Sequence, residues 1–165
     1  MEQNLKQVEK DIKQHRNEII ERLVNFALND VLLFWSTDKN VQKEQQEKWL
    51  PILKWVDEKL NARFKQTTSL TADTNDKKAV NALEKYLNGL SDKELTSFYV
   101  AALNMRSVLL AFALIQGRIN AAEAFELSEL EELYQARKWG SEPVAEARRK
   151  SIKDSLVCAE KYLLR

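Results

Sequence analysis

Leu5, Val8, Ile12, Ile19, Leu23 and Phe26 recur at intervals of three, four and seven residues, the spacing of one face of an α-helix. His15 or Arg16 fills the gap in that stripe, and the pattern predicts a first helix ending near Asn29–Asp30. Val31 to Ser36 has no helical alternation and reads as extended or irregular, and mostly buried. Val41, Trp49, Ile52, Val56 and Leu60 mark a second helix. Pro51 falls inside it and is expected to start a new segment or kink the helix, because proline lacks the amide donor. Lys65 to Asp76 is rich in Thr, Ser, Asn and Asp and predicts a linker. Val80, Leu83 and Leu87 give a short third helix that stops near Asn88–Gly89.

Ser91-Asp92-Lys93-Glu94 is a capping box, in which the serine oxygen accepts an early amide and the glutamate reaches back to the cap. It opens a fourth helix, apolar nearly all round, that runs to Gln116 and is closed by Gly117. Asn120 to Glu123 resembles a second such box and opens a fifth helix that Gly140 ends. Pro143 suits the first turn of a sixth, whose buried side is Ile152, Leu156, Ala159 and Leu163. The expectation is an all-α fold of about six helices in one domain, residues 1–165, around a buried central helix. Residues 1–64 would form a first helical layer, 65–76 a linker and 77–165 a second layer. Short extended segments are expected near 31–35 and 64–70.

Composition narrows the function. The 26 basic and 25 acidic side chains among 165 residues leave a net charge of +1, so no bulk field favours nucleic acid. The longest apolar stretch, Phe98 to Ile115, is interrupted by Asn104, Arg106 and Ser107, which argues against membrane insertion. The acidic residues Glu2, Glu9 and Asp11 fit neither a secretory signal nor a transit peptide. One cysteine and one histidine exclude a disulfide framework and the usual zinc clusters, and no metal or cofactor is expected. A nucleophile–histidine site would have to use His15, which reads instead as a surface or half-buried helix residue. Cys158 reads as a small apolar core residue. Arg148, Arg149, Lys150 and Lys153 read as a solvated basic face. Clustered carboxylates leave an enzyme as the weaker class, with no catalytic residue to name and no small-molecule substrate expected.

Four tryptophans are many for this length. Trp49 and Trp55 lie six apart and cannot share one helical stripe, so one is core and the other lies at a layer boundary or on an exposed patch. Leu127 to Gly140 carries the most information. In one continuous helix Leu127, Leu130, Tyr134 and Arg137 share a side, while Ser128, Glu132, Gln135 and Trp139 share another, with Glu131 between. Two readings stand: a solvated line whose tryptophan folds back onto the core, or a recognition surface with an aromatic anchor.

Three blocks resemble a known family. They are Asp30-Val31-Leu32-Leu33-Phe34-Trp35; Trp49-Leu50-Pro51-Ile52-Leu53-Lys54-Trp55; and a long run from Ser107 through Gly117-Arg118, Ala121, Glu123-Ala124, Leu127-Ser128, Leu130-Glu131-Glu132 and Tyr134-Gln135 to Trp139-Gly140. In order and spacing over residues 17 to 163 they resemble the helical domain of the ATP synthase assembly chaperones that bind the alpha subunit of the catalytic sector. The family's usual N-terminal β-rich domain is expected to be absent. Its Cys-Tyr-Arg becomes Phe34-Trp35-Ser36, and the arginine of its signature becomes Glu129, which would make that face more acidic. The resemblance implies a non-catalytic chaperone that shields an unassembled alpha subunit until it joins beta subunits. It places an important acidic residue at Glu131 or Glu132, with Glu131 favoured, and a partner-binding face at Ser128, Glu131, Glu132, Gln135 and Trp139. It implies the bacterial cytoplasm, or the mitochondrial matrix if a transit peptide has been removed. A helical adaptor for a different protein partner is the alternative.

Overall fold

Both capping boxes close as their side chains dictate. In the computed structural model, which describes residues 2–68 and 77–164, Ser91 Oγ accepts the Glu94 amide at 3.1 Å and the Glu94 carboxylate accepts the Ser91 amide at 3.0 Å. Asn120 and Glu123 make the same exchange at 2.8 and 3.2 Å. Ten α-helices lie among the described residues: α1 (Glu2–Gln14), α2 (Arg16–Ala27), α3 (Lys39–Lys48), α4 (Leu50–Leu60), α5 (Lys77–Asn88), α6 (Asp92–Met105), α7 (Val108–Ile115), α8 (Ala121–Ser128), α9 (Leu130–Trp139) and α10 (Pro143–Leu163). A 3₁₀ turn, Val31–Leu33, follows α2.

The all-α class is as expected; the count of six is corrected, because four of the expected helices are each broken once. The first breaks at His15, which is exposed and leaves helical geometry there. The break re-phases the buried face of α2 onto Ile20, Leu23, Val24 and Ala27, leaving Ile19 and Phe26 at its margin. Arg16 bonds Asp92 at 2.8 Å and the backbone carbonyls of Asn88 and Leu90, so it caps the end of α5 and holds the start of α6. The second breaks at Trp49, between α3 and α4, with Pro51 in the first turn of α4. Trp49 is the core tryptophan of its pair, its indole N–H donating to the Leu127 carbonyl at 2.9 Å. Trp55 is half-buried, its ring 5.3 Å from that of Phe112.

The extended pieces pair with each other. The Trp35 amide donates to the Thr67 carbonyl at 2.8 Å and the Thr67 amide to the Leu33 carbonyl at 2.7 Å, one parallel bridge. Residues 69 and 70 of the expected second extended segment, and 69–76 of the expected linker, lie outside the described residues. Cys158 is half-buried on α10, not enclosed as expected.

The centre is α7, where Val108 through Leu114 are all buried. Around it sit α2, α4 and α8, and α6 runs into it while packing on α1 and α10. The expected single central helix is split at Arg106, a non-glycine residue in left-handed conformation (φ 55°). Ser107 then caps α7, accepting the Leu110 amide at 2.9 Å.

The reason for that split lies 77 residues upstream. Asp30 is fully buried and has no ion-pair partner among the described residues. Its Oδ1 accepts the Ser107 hydroxyl at 2.7 Å and the Leu32 amide at 3.0 Å; its Oδ2 accepts the Leu109 amide at 2.8 Å. Asp30 and Ser107 together satisfy free amides of the first turn of α7, where the helix dipole also favours negative charge. Burial still wins: it pushes the carboxyl from its ordinary 3.8 up to about 6, against the lowering effect of those hydrogen bonds.

The sign of the pH effect follows. Folded protein binds the Asp30 proton more tightly than unfolded chain, so this residue's contribution is full below about pH 4 and is lost as pH rises to about 6. At about 1.4 kcal/mol per unit, the change is about 3 kcal/mol. Urea unfolding of wild type and Asp30→Asn between pH 4 and 7 is expected to show this slope in the difference between them. Asp30→Ala, which strands the Leu109 and Leu32 amides, is expected to cost about 3 kcal/mol or more at pH 7.

Candidate functional site

Gly140 ends α9 with φ 85°, a conformation suited to glycine, and Pro143 starts α10 three residues later. The tight turn sets the start of α10 beside α9, and between them lies a cleft of about 440 Å³. One wall is Glu131, Glu132, Gln135, Ala136 and Trp139. The other comes from the turn and α10: Gly140, Ser141, Glu142, Ala145, Arg148 and Arg149.

Four of the five residues expected to face a partner, Glu131, Glu132, Gln135 and Trp139, therefore line one cleft. Ser128 does not. It is buried at the end of α8, with its hydroxyl donating to the Phe125 carbonyl at 3.0 Å, and it is withdrawn from the face assigned to it. The expected continuous helix from Asn120 to Gly140 breaks at Glu129, which turns the two halves out of register. Trp139 does not fold back onto the core; it is 74% exposed, and Val144 beside the turn is 81% exposed.

Glu129 was expected to sharpen the acidity of a surface. Instead it is enclosed, and Arg148 of α10 binds it through both carboxylate oxygens at 3.2 and 2.8 Å. That pairing holds the Arg148 guanidinium above its ordinary value, chiefly through the hydrogen bonds to Glu129. Arg106, from the α6–α7 joint, approaches Glu129 at 4.0 Å and Glu132 at 3.4 Å. Arg148 is thus one jaw of a clamp between α10 and the α8–α9 joint rather than part of a solvated face. Spacing along α9 gave no sign of this, because the partner is supplied by another helix. The Gly140–Pro143 pair was the available signal, since so short a turn must bring α10 alongside α9.

The free charge of the cleft is negative. Glu131 makes no ion pair within 4 Å among the described residues, and its carboxyl is pushed above its ordinary value by partial burial first, then by the charges of Glu132 and Asp38, with Arg106 opposing. Glu142 caps α10 without a side-chain cap bond. Arg148 is held by Glu129, whereas Arg149 bonds the neutral Ser141 hydroxyl and keeps its charge. Among the described residues no group of three or more His, Cys, Asp or Glu is arranged to hold a metal ion, and no helix is long and apolar enough to cross a membrane.

Comparison with known proteins finds similarity to ATP12 chaperone proteins in sequence and in fold. The model of the ATP12 chaperone protein family matches residues 3–57. The mitochondrial protein atp12 of Schizosaccharomyces pombe is 25% identical over 79% of this chain. The match covers 49% of that protein, so the chain spans about half the length of this curated relative. The crystal structure of Atp12 from Paracoccus denitrificans superposes with a TM-score of 0.89 at 24% identity, over 93% of this chain and 66% of that one. A point variant of the Paracoccus protein gives 0.89 at 25% identity, over 93% and 67%.

Removing either partner of the clamp should loosen α10. Glu129→Ala and Arg148→Ala are each expected to cost about 2 kcal/mol in urea unfolding, below the range for a fully enclosed pair because Arg148 is half exposed. The double variant is expected to cost clearly less than the sum, since the two side chains share one interaction.

Proposed function

We propose that the chain is an ATP12-type assembly chaperone of the F-type ATP synthase, one that binds the unassembled alpha subunit of the catalytic sector. Its task would be to cover the subunit's assembly surface until beta subunits displace it. An unassembled subunit exposes apolar area that drives aggregation, and a partner lying on that area removes the route. Binding of this kind needs no catalysis, and the working compartment would be the bacterial cytoplasm or the mitochondrial matrix.

The observation that carries the reading is the exposed α9–α10 corner. A large aromatic, Trp139, stands in solvent at a cleft that Ala136 and Ala145 also line, with Glu131 and Glu142 at its rim free of ion pairs among the described residues. Aromatic anchors with a polar rim are the usual form of a protein-binding hot spot. The proposed contact residues are Glu131, Glu132, Gln135 and Trp139, with Glu131 foremost. Ser128 would act only by ending α8 correctly.

Co-expression with the alpha subunit of the same organism, followed by affinity capture, tests this. Wild type is expected to retain soluble alpha subunit; Glu131→Lys, with an unchanged melting temperature, is expected to lose it. Equal capture by both would overturn the Glu131 assignment. Capture of a different protein and no alpha subunit would favour a helical adaptor.

A further inference from the structure

Between Leu130 and Ile152, both buried, no residue of the chain is buried, although almost the whole stretch is helical. A helix normally owes its stability to one face packed on a core. Here Tyr134 rests partly on the core, and the other fastenings are polar: Arg137 to Glu44 of α3 at 2.9 Å, Glu132 to Arg106, Arg148 to Glu129, and Arg149 to Ser141. The α9–α10 corner is an arm held to the domain mainly by polar contacts, with Trp139 and Val144 turned to solvent.

We infer that the cleft in this arm receives a segment of the partner protein in which an apolar side chain is flanked by a lysine or arginine. The apolar side chain would lie between Trp139, Ala136 and Ala145, and the cation would meet Glu131. This rests on the reading of the face as a client-binding surface and adds the chemistry of what enters it. Charge decides between occupants. Arg148 is committed to Glu129, while Arg149 bonds only the neutral Ser141 hydroxyl and keeps its charge, so the lining sets Glu131 and Glu142 against one uncompensated cation. Glu131 has no ion pair among the described residues and is repelled by Glu132 and Asp38, so a basic group brought to it relieves that repulsion. The spacing suits one anchor and one charge: Glu131 and Trp139 are eight residues apart on α9, about 12 Å along its axis.

The probes are two dodecapeptide sets, a random phage-displayed library and overlapping segments of the alpha subunit, both applied to the full chain. Binding is read by tryptophan emission, because Trp139 is the most exposed of the four tryptophans and should shift to the blue when covered. Enriched peptides are expected to carry Lys or Arg within four residues of Leu, Ile, Met or Phe. Exchanging that cation for Glu is expected to weaken binding about tenfold, and Trp139→Ala about thirtyfold. The double variant Glu131→Lys, Glu142→Lys is expected to prefer the Glu-containing peptide, with circular dichroism confirming its fold. Failure to enrich any peptide, enrichment without basic residues, or indifference to the charge exchange would overturn the inference. The two proposals fail separately. Random basic–apolar peptides that bind while no alpha-subunit segment does would overturn the client and leave the cleft. Capture of alpha subunit unaffected by Trp139→Ala and by the double variant would overturn the cleft and leave the client.

Discussion

A single carboxylate with no cation beside it fixes the centre of this protein. Asp30 reaches from the end of the first helical pair into the joint between α6 and α7, where it takes up the Ser107 hydroxyl and the Leu109 amide. The Val31 amide donates to the Arg106 carbonyl in the same place, at 3.1 Å. The joint could not be buried otherwise. Breaking a helix frees backbone donors and acceptors, and in an apolar interior each unpaired group costs more than a hydrogen bond returns. Asp30 makes the break tolerable, and the break lets α7 turn to meet α2, α4 and α8.

A second buried carboxylate, Glu129, solves the same problem by the opposite means. It ends one helix and begins another, as Asp30 helps to do, but its neutralising groups are the guanidiniums of Arg148 and Arg106. The difference suits the two places. Asp30 is enclosed, and its hydrogen-bond partners at the α6–α7 joint are a hydroxyl and backbone amides. At the α8–α9 joint the arginine stems can run outward, leaving their charges near water, so the cost of desolvation is smaller. One carboxylate locks the core; the other sets the angle at which the arm leaves it.

That arrangement fits the task proposed for the chain. A surface that must hold a client and then release it benefits from rigidity, since a preorganised arm loses little entropy on binding. It also benefits from fastenings that do not depend on the client. The arm's ion pairs provide the fastening, and its apolar residues are left free for contact. In a protein without a partner the same exposure would be a liability.

Sequence alone set the helical class and the outer ends of the six helical stretches. Serine and asparagine three residues before glutamate, proline at helix starts, glycine at helix ends and apolar spacing of three and four are local effects, legible without the fold. The same local rules placed Glu131, Glu132, Gln135 and Trp139 together, since α9 is one continuous turn-by-turn surface. Pro51 announced the break between α3 and α4. His15, Arg106 and Glu129 carry no strong breaking signal; tertiary structure decided those breaks, with Asp30 compensating the one at Ser107 and Arg148 the one at Glu129. It also decided that Ser128 turns inward and that Arg148 belongs to a clamp rather than to a solvated face. Contacts between residues distant in sequence are set by the packing of whole helices, and no periodicity along one helix encodes them.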